Sequence, residues 1–456
     1  MAPRRFGTDG VRGVANEELT AELSVTLGRA TARVLPAPIF VVGRDTRRSG
    51  PLLQAAFSAG LATEGADVLD LGVLPTPGVA SVAARRMVPG AVISASHNPF
   101  GDNGIKLFSL FGTKLPPEVE GEIERELDAL LVDPQRTPRR PTGHAVGRID
   151  HDPDALGLYR EHLVATIDGR GLRGRRIVVD CANGAASEIA PLVLADLGAD
   201  VLPLHCTPDG LNINDACGST DPTRLALAVT EHRADLGLAF DGDADRVIAV
   251  DETGTIVDGD VLLALFALDL SKRDLLSGNT VAVTVMTNLG FRLAMDAHGI
   301  EVRETDVGDR HVLAALDAGG LSLGGEQSGH IIFRSLSTTG DGILTGIALA
   351  DLMQRSGRSL ADLSSGLVER VPQRLVNVPI PQPERLAEST EVWEAVLKAE
   401  EKLGHEGRVL LRPSGTEPLV RVMVESRDEA QADAMAAHLA GIVEAALGPV
   451  GPQPPR

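Results

Sequence analysis

The pentapeptide Gly-Ala-Asp-Val-Leu occurs twice, at 65–69 and at 198–202, each time at the same place in a β-α-β pattern. Before the first copy, Ile39-Phe40-Val41-Val42 reads as a buried strand and Pro51 to Glu64 as an amphipathic helix. Gly65 stops that helix, and Ala66 to Leu71 reads as the next strand. The second copy follows a strand at Arg176-Ile177-Val178-Val179 and a helix running through Ile189 to Leu197. A looser third copy has a strand at Val281 to Val285, a helix over Phe291 to His298, and then Gly299-Ile300-Glu301-Val302. A chain of 456 residues has room for about three or four domains at roughly 100–200 residues each. The fold class predicted is therefore α/β, with three related mixed-sheet domains. A smaller α+β module closes the chain, with a helix at Val392 to Leu403, strands at Arg408 to Leu411 and Leu419 to Glu425, and a helix from Asp428 to Ala446. Three stretches read as linkers: Asp133 to Asp154, rich in Pro, Arg and Asp; Asp251 to Gly259; and Val371 to Glu384, with four prolines. They divide the chain into domains 1–152, 153–254, 255–369 and 370–456.

Each α/β copy carries polar chemistry after its next strand: Ser94-Ala95-Ser96-His97-Asn98-Pro99, then Asp241-Gly242-Asp243-Ala244-Asp245-Arg246, then Gly325-Glu326-Gln327-Ser328-Gly329-His330. Ligands of open parallel sheets bind beyond the carboxyl ends of strands, so three equivalent ends converging on one central cleft is the economical arrangement. The middle loop is the most demanding chemically. Three carboxylates at alternate positions repel one another unless a cation sits among them, and all-oxygen ligands suit Mg²⁺, Mn²⁺ or Ca²⁺ rather than zinc. Taken alone, the loop fits a solvated acidic turn equally well. An EF-hand register starting at Asp241 puts Glu252 at position twelve, but position six is Arg246 instead of glycine, and strand-forming residues flank the loop.

Ser96 follows the strand Ala91 to Ile93, and Pro99 biases Asn98 away from helix, which predicts an extended, exposed loop with a serine available as nucleophile. Adjacent side chains do not face each other on a strand, so His97 is a poor base for it. Gly101-Asp102-Asn103-Gly104 reads as a turn that returns Lys106 toward the same loop, where it could steady a phosphate or move a proton. In the last module, Arg412-Pro413-Ser414-Gly415-Thr416 with Arg421 beyond reads as a phosphate cradle, a backbone nest flanked by guanidinium forks. Gly7 to Gly13 is similarly glycine-rich and makes Arg12 a second phosphate candidate.

Composition narrows the partners. The 63 acidic against 43 basic residues leave 20 excess negative charges, which disfavours nucleic acid and anionic membrane. Aromatic content of 3% offers little for stacking on bases or long glycans. Cys181, Cys206 and Cys217 are too scattered for a disulfide framework, and no apolar run reaches membrane-spanning length, so a cytoplasmic protein is expected. Three familiar motifs fail on context. Gly169-Arg170-Gly171-Leu172-Arg173-Gly174 precedes a strand instead of following one, Ser322 in Gly320 to Gly324 has no helix after it, and no Gly-Lys dipeptide exists for a Walker A lysine.

Taken together, Ala95 to Pro99, Asp241 to Arg246, Gly325 to His330, Arg412 to Pro418, Phe6 to Gly13 and Arg421 to Glu425 resemble the α-D-phosphohexomutase family over the whole chain, nearest its bacterial glucosamine-phosphate branch. The resemblance implies a Ser96 that carries a phosphoryl group, and one Mg²⁺ held by that group with Asp241, Asp243 and Asp245. It implies that Glu326 and Ser328 bind sugar hydroxyls, and that Arg412, Ser414, Gly415, Thr416 and Arg421 grip the phosphate that is not reacting. Arg12, Lys106, Arg246 and His330 match positions near the reacting phosphate, the last three as proton handlers whose individual roles stay open. The activity implied interconverts glucosamine 6-phosphate and glucosamine 1-phosphate through a 1,6-bisphosphate, which also serves as activator. A phosphosugar is the expected partner, and a homodimer is compatible with the family. Phosphomannomutase or phosphoglucomutase chemistry, and a metal-dependent phosphohydrolase, stay open as alternatives.

Overall fold

Short β-branched runs buried on both faces build the sheets, as expected where helices cover a parallel sheet; Ile177, Val178 and Val179 are fully enclosed. The computed structural model describes residues 6–7, 9–133, 140–414 and 418–448. The first sheet holds β1 (Phe6–Gly7), β2 (Gly10–Val14), β3 (Ile39–Arg44), β4 (Asp67–Val73), β5 (Gly90–Ile93), β6 (Asp102–Phe108) and β7 (Ile149–His151), in the order β1-β2-β6-β5-β3-β4-β7. The second holds β8 (Arg176–Asp180), β9 (Asp200–Leu204), β10 (Leu236–Phe240), β11 (Val247–Asp251) and β12 (Ile256–Val257), in the order β12-β11-β10-β8-β9. The third holds β13 (Thr280–Thr284), β14 (Glu301–Thr305), β15 (Leu323–Gly325) and β16 (Ile331–Phe333), in the order β14-β13-β15-β16.

One four-strand plan recurs in all three. β6-β5-β3-β4, β11-β10-β8-β9 and β16-β15-β13-β14 are the same arrangement, three parallel strands closed by one antiparallel strand. The three-unit α/β reading therefore holds at the level of strand order and direction. Helices begin where proline fits their first turn without losing a needed hydrogen bond, at Pro51, Pro77 and Pro117.

The chain forms two compact units, Met1–Thr284 with Ile300–Ser365, and Val285–Gly299 with Gly366–Arg456. The first contains the three sheets above. The second contains β17 (Gln373–Pro379), β18 (Gly407–Pro413) and β19 (Leu419–Ser426), all antiparallel in the order β17-β19-β18, with the helices Thr390–Leu403 and Glu429–Leu447. Its core gathers Val392, Val420, Val422, Ala436, Leu439 and Val443, making it the small α+β module expected. Within this unit the buried Glu425 accepts from Asn288 Nδ2 (2.9 Å) and Leu289 N (3.1 Å), which ties 285–299 to the sheet.

Three local expectations are corrected. The stretch expected as a last linker, Val371 to Glu384, contains β17, because Leu375-Val376-Asn377-Val378 completes a ladder with β19 and its prolines fall outside or at the end of the strand. The first expected linker contains β7, an edge strand parallel to β4. Asp102 and Asn103 belong to β6 instead of a turn, since they pair with Val14 and Gly13 of β2. Among the described residues no helix is long and apolar enough to cross a membrane.

Candidate active site

The loop after β5 is held from beneath by a buried ion pair that the sequence reading missed. Arg47, fully enclosed, donates from Nε to Asp45 (2.9 Å) and from NH2 to the carbonyls of Ser96 and Asn98 (both 2.8 Å). Ser94 Oγ donates to Asp45 (2.6 Å) and accepts from the Ser96 amide (3.0 Å). Asn214 Nδ2 adds bonds to the carbonyls of Ser96 (2.9 Å) and Asn98 (3.0 Å). So many acceptors satisfied from below force a tight turn, and Ser96 takes a left-handed φ of +51°. A non-glycine residue held in that region is a strained conformation that clusters at functional sites. The expectation of an extended, exposed loop is thus wrong: Ser96 is 1% exposed and sits in a turn. The same turn brings His97 Nδ1 to 3.4 Å from Ser96 Oγ, contrary to the alternation of a strand. His97 nevertheless makes a weak base, because burial and then the charges of Arg246 and Arg12 push its imidazole down to about 4.

Ser96 Oγ donates instead to Asp241, 2.5 Å away across two sheets. Asp241 and Asp243 are wholly buried at the end of β10, and Asp245 nearly so. The approach of the two loops requires Gly242, whose added Cβ would lie 2.6 Å from the Ser96 carbonyl oxygen. Thr76 Oγ1, at the start of the helix Thr76–Arg86, donates to Asp243 (2.6 Å). Lys106 on β6 reaches Asp243 (2.8 Å), Asp9 (2.9 Å) and Asp245 (3.6 Å) while only 2% exposed. Burial opposes its charge, but the three carboxylates outweigh burial and raise its ammonium well above the ordinary value. This favours a fixed cation over a proton carrier.

The acidic loop fits a hard divalent cation on its own chemistry. Asp241, Asp243 and Asp245 each offer a carboxylate oxygen, all within 4.8 Å of one another. One oxygen of Asp243 and one of Asp245 are buried with no hydrogen-bond partner. Burial, then the charges of Asp245 and Asp243, push the Asp241 carboxyl well up, as expected of crowded acids awaiting a counter-ion. Burial acts on Asp245 in the same sense, but Lys106, His330 and Arg246 outweigh it and hold that carboxyl down. An EF-hand is excluded, because antiparallel strands β10 and β11 flank the loop.

The third loop joins the first two. Val247 N donates to Gly329 O (3.1 Å) and Gly342 N to Ala244 O (3.0 Å), which seats His330 Nδ1 3.7 Å from Asp245. The Gly340 amide lies 3.2 Å from His330 Nε2, an approach that any side chain at 340 would block, its Cβ falling 2.4 Å from that nitrogen. Burial disfavours charge on this ring, but Asp245, Asp309 and Glu326 outweigh it and lift the imidazole to about 9. Glu326 accepts from Gly308 N (3.0 Å), and Ser328 Oγ stands 3.5 Å from its other oxygen. Arg12, paired with Asp9, and Arg246, 3.7 Å from Asp245, each keep a buried Nε without a hydrogen bond. Donors left over beside an acidic site suit an anion such as phosphate. Lys114 links Asp9 (2.6 Å) to Asp309 (2.6 Å) behind these groups.

Successive segments of the chain match the models of Phosphoglucomutase/phosphomannomutase domain I over residues 3–131, domain II over 158–254, domain III over 258–371 and the C-terminal domain over 375–442. The chain belongs to the phosphoglucomutase/phosphomannomutase family. It is similar to the phosphoglucosamine mutase of Saccharopolyspora erythraea, at 53% identity over 97% of this chain and 99% of that one. It is likewise similar to the phosphoglucosamine mutase of Symbiobacterium thermophilum, at 50% identity over 98% and 100%. A solved structure of a phosphoglucomutase/phosphomannomutase family protein from Burkholderia thailandensis superposes with a TM-score of 0.80 at 27% identity, covering 97% of this chain and 98% of that one.

In the smaller unit of this phosphoglucomutase/phosphomannomutase chain, Arg412 and Arg421 stand directly opposite each other on β18 and β19. Burial, then the charge of Arg421, lowers the affinity of Arg412 for its proton. Like charges directly opposite on a ladder repel, so the pair suits an anionic ligand. Ser414 N closes the loop onto Leu419 O (2.9 Å), whereas Gly415 and Thr416 lie outside the described residues. Asp9, Asp45, Arg47, Thr76, Lys114, Asn214 and Asp309 were not singled out in the sequence. Asp9, inside the glycine-rich stretch Gly7 to Gly13, and Asp45 and Arg47, in the polar run that follows β3, had a positional signal there.

Proposed function

We propose that this enzyme is a phosphoglucosamine mutase that interconverts glucosamine 6-phosphate and glucosamine 1-phosphate through a phosphoserine at Ser96 and a 1,6-bisphosphate. The observation that carries it is a strained, buried serine whose Oγ donates to the first of three crowded aspartates, with Lys106, Arg12 and Arg246 alongside. The choice of sugar rests on the relatives of about half identity named phosphoglucosamine mutase. Within the chain, the four matched segments support domains 1–152, 153–254, 255–369 and 370–456.

Phosphoryl transfer asks chiefly for positioning and for neutralised oxygens. Asp241, Asp243 and Asp245, with the Ser96 phosphate, would hold one Mg²⁺, which supplies charge neutralisation at the transferred group. Arg47, Ser94 and Asn214 fix the Ser96 turn, and Arg12 and Arg246 offer guanidinium donors to phosphate oxygens. In the forward half-reaction the P–O bond to Ser96 breaks as a P–O bond to the sugar hydroxyl forms. The hydroxyl proton leaves the sugar and a proton returns to Ser96 Oγ. His330, 3.7 Å from Asp245, would carry the protons, while Lys106 keeps its charge. Glu326 and Ser328 bind sugar hydroxyls or the ammonium. The bisphosphate then reverses, Arg412, Ser414, Gly415, Thr416 and Arg421 holding its distal phosphate, and the second transfer reloads Ser96. The three free thiols suit a reducing cytoplasm.

Turnover measured side by side on glucosamine, glucose and mannose 6-phosphates, with catalytic bisphosphate present, tests the assignment. Fastest isomerisation of the glucosamine substrate, a phosphorylated mass for the purified protein and no activity in Ser96→Ala are expected. Steady release of inorganic phosphate without isomer would show a phosphohydrolase and sink the proposal.

A further inference from the structure

At the C-terminal end of β8, where the chain runs on into the helix Ala186–Asp196, a second cluster of ligating groups has no part in the mechanism above. Asp180, the last residue of β8, His205, just after β9, and Cys217 bring a carboxylate oxygen, an imidazole nitrogen and a thiol within 4.8 Å of one another. Asp180 and Cys217 are completely buried, while the His205 side chain keeps 26% of its surface in solvent. Asp180 Oδ2 and His205 Nδ1 stand 3.0 Å apart, yet they are not aligned as a hydrogen bond, and neither atom has any other partner. An unsatisfied buried carboxylate oxygen is costly, and two such atoms turned toward one thiol form a pocket of donors lacking an acceptor of their lone pairs. Asp180 is not left loose, since its other oxygen accepts from Ala182 N (3.0 Å).

We propose that Asp180, His205 and Cys217 form a second cation site, distinct from the aspartate triad, for a divalent ion that accepts thiolate, with Zn²⁺ as the best fit. The donor set decides the metal. Mixed sulfur, nitrogen and oxygen ligands suit Zn²⁺, whereas Mg²⁺ demands oxygen alone and belongs to the triad. Around a tetrahedral Zn²⁺, at roughly 2.0–2.3 Å from each donor, ligand atoms stand about 3.3–3.7 Å from one another. Asp180 and His205, at 3.0 Å, stand slightly closer than that, and all three ligand atoms lie within 4.8 Å of one another, so small side-chain shifts would bring them to the ion. The His205 side chain, 26% exposed, provides an entry path from solvent, from which a water would complete the ligand set. Binding would release the Cys217 proton, because only the thiolate ligates.

The site matters to the rest of the molecule through the segment it would staple. Asn214 lies between His205 and Cys217, bonds through its amide to Ala182 O (2.9 Å), and grips the carbonyl of Ser96. An ion bound here fixes both ends of the segment that clamps the phosphoserine turn.

The test is equilibrium dialysis of the full-length protein against Zn²⁺, with millimolar-excess Mg²⁺ to occupy the triad and a non-thiol reductant present, followed by metal analysis. One Zn²⁺ per chain is expected. His205→Gln and Cys217→Ser should each weaken it by more than ~10-fold, given that even changes outside the ligand shell cost roughly 10–100-fold. Co²⁺ under the same conditions should give thiolate-to-metal charge-transfer absorption that Cys217→Ser abolishes. His205→Gln, on a partly exposed loop, guards against a folding defect in the cysteine variant, and far-ultraviolet circular dichroism of both variants checks this. Failure to bind Zn²⁺, or variants that bind it as tightly as the parent, overturns the proposal and leaves Asp180 and His205 as a close side-chain pair without an ion. The mutase assay is independent of either outcome.

Discussion

The site depends on single atoms more than on bulk packing. Gly242 is the sharpest case, because a methyl there meets the Ser96 carbonyl at 2.6 Å and the Asn214 amide nitrogen at 2.8 Å, both fixed by other bonds. Gly242→Ala must push the Ser96 turn off the aspartate loop, and a shift of about 1 Å at a reacting centre can cost on the order of 10²-fold in rate. We therefore expect kcat to fall by roughly that factor with little change in melting temperature; unchanged kcat would mean that the two loops do not need this contact. Lys106 makes a different argument. Removing a buried partner of paired carboxylates strands their charge, which typically costs about 3–5 kcal/mol. Lys106→Met should lower the melting temperature sharply, and added Mg²⁺ should restore part of it by binding only the folded protein. No response to Mg²⁺ in calorimetry of this variant would argue against cation binding by Asp241, Asp243 and Asp245.

At the scale of elements, the helix Gly342–Ser356 shows how one cap couples stability to pH. Its N-cap Asp341 accepts from Leu344 N (2.9 Å) and, with both oxygens, from the buried Tyr159 hydroxyl (3.0 Å). Burial dominates, lifting the Asp341 carboxyl to about 7 against about 3.9 in an unfolded chain. A raised carboxyl favours the folded state most below pH ~4, and that contribution drains away as pH climbs through about 7. Asn also caps helices and does not ionise. Asp341→Asn should therefore lose less stability than the parent between pH 5 and pH 8, the difference being on the order of a few kcal/mol. Superimposable melting profiles across that range would refute this. Elements of this kind were legible in the sequence wherever periodicity decided them, as in the three β-α-β copies, whose predicted matching loops do follow the strands β5, β10 and β15. What stayed hidden was tertiary in origin. β17 is a strand because β19 offers it a ladder, despite its prolines, and Ser96 is buried and left-handed because Arg47 and Asn214 pull on its carbonyl from distant segments. Lys106 reaches the aspartate loop that Ser96 also bonds, and it does so through the register of β6 with β5 and β2, not through a turn at Asp102.

At the scale of the whole molecule, the two compact units divide the proposed chemistry. The loading machinery, Ser96 with the aspartates, Lys106 and His330, lies entirely within the larger unit, whereas the opposed Arg412 and Arg421 lie in the smaller one, which has its own core. A serine phosphorylated within one unit needs nothing from the other to remain phosphorylated. A bisphosphate that must turn over before it escapes, however, needs a hold on the phosphate that is not reacting. Arg412→Ala and Arg421→Ala separate these demands. Each should leave the phosphoserine detectable by intact mass and the melting temperature of the larger unit unchanged. Each should raise KM, since a charge-assisted contact to phosphate contributes roughly 1.5–3 kcal/mol, about one to two orders of magnitude in affinity. Above all, each should release 1,6-bisphosphate into solution at the expense of product, measured by quenching single-turnover reactions of the phosphorylated enzyme. If both variants lost the phosphoserine but leaked no bisphosphate, the arginines would be serving the first transfer, and the distal grip would have to be sought elsewhere.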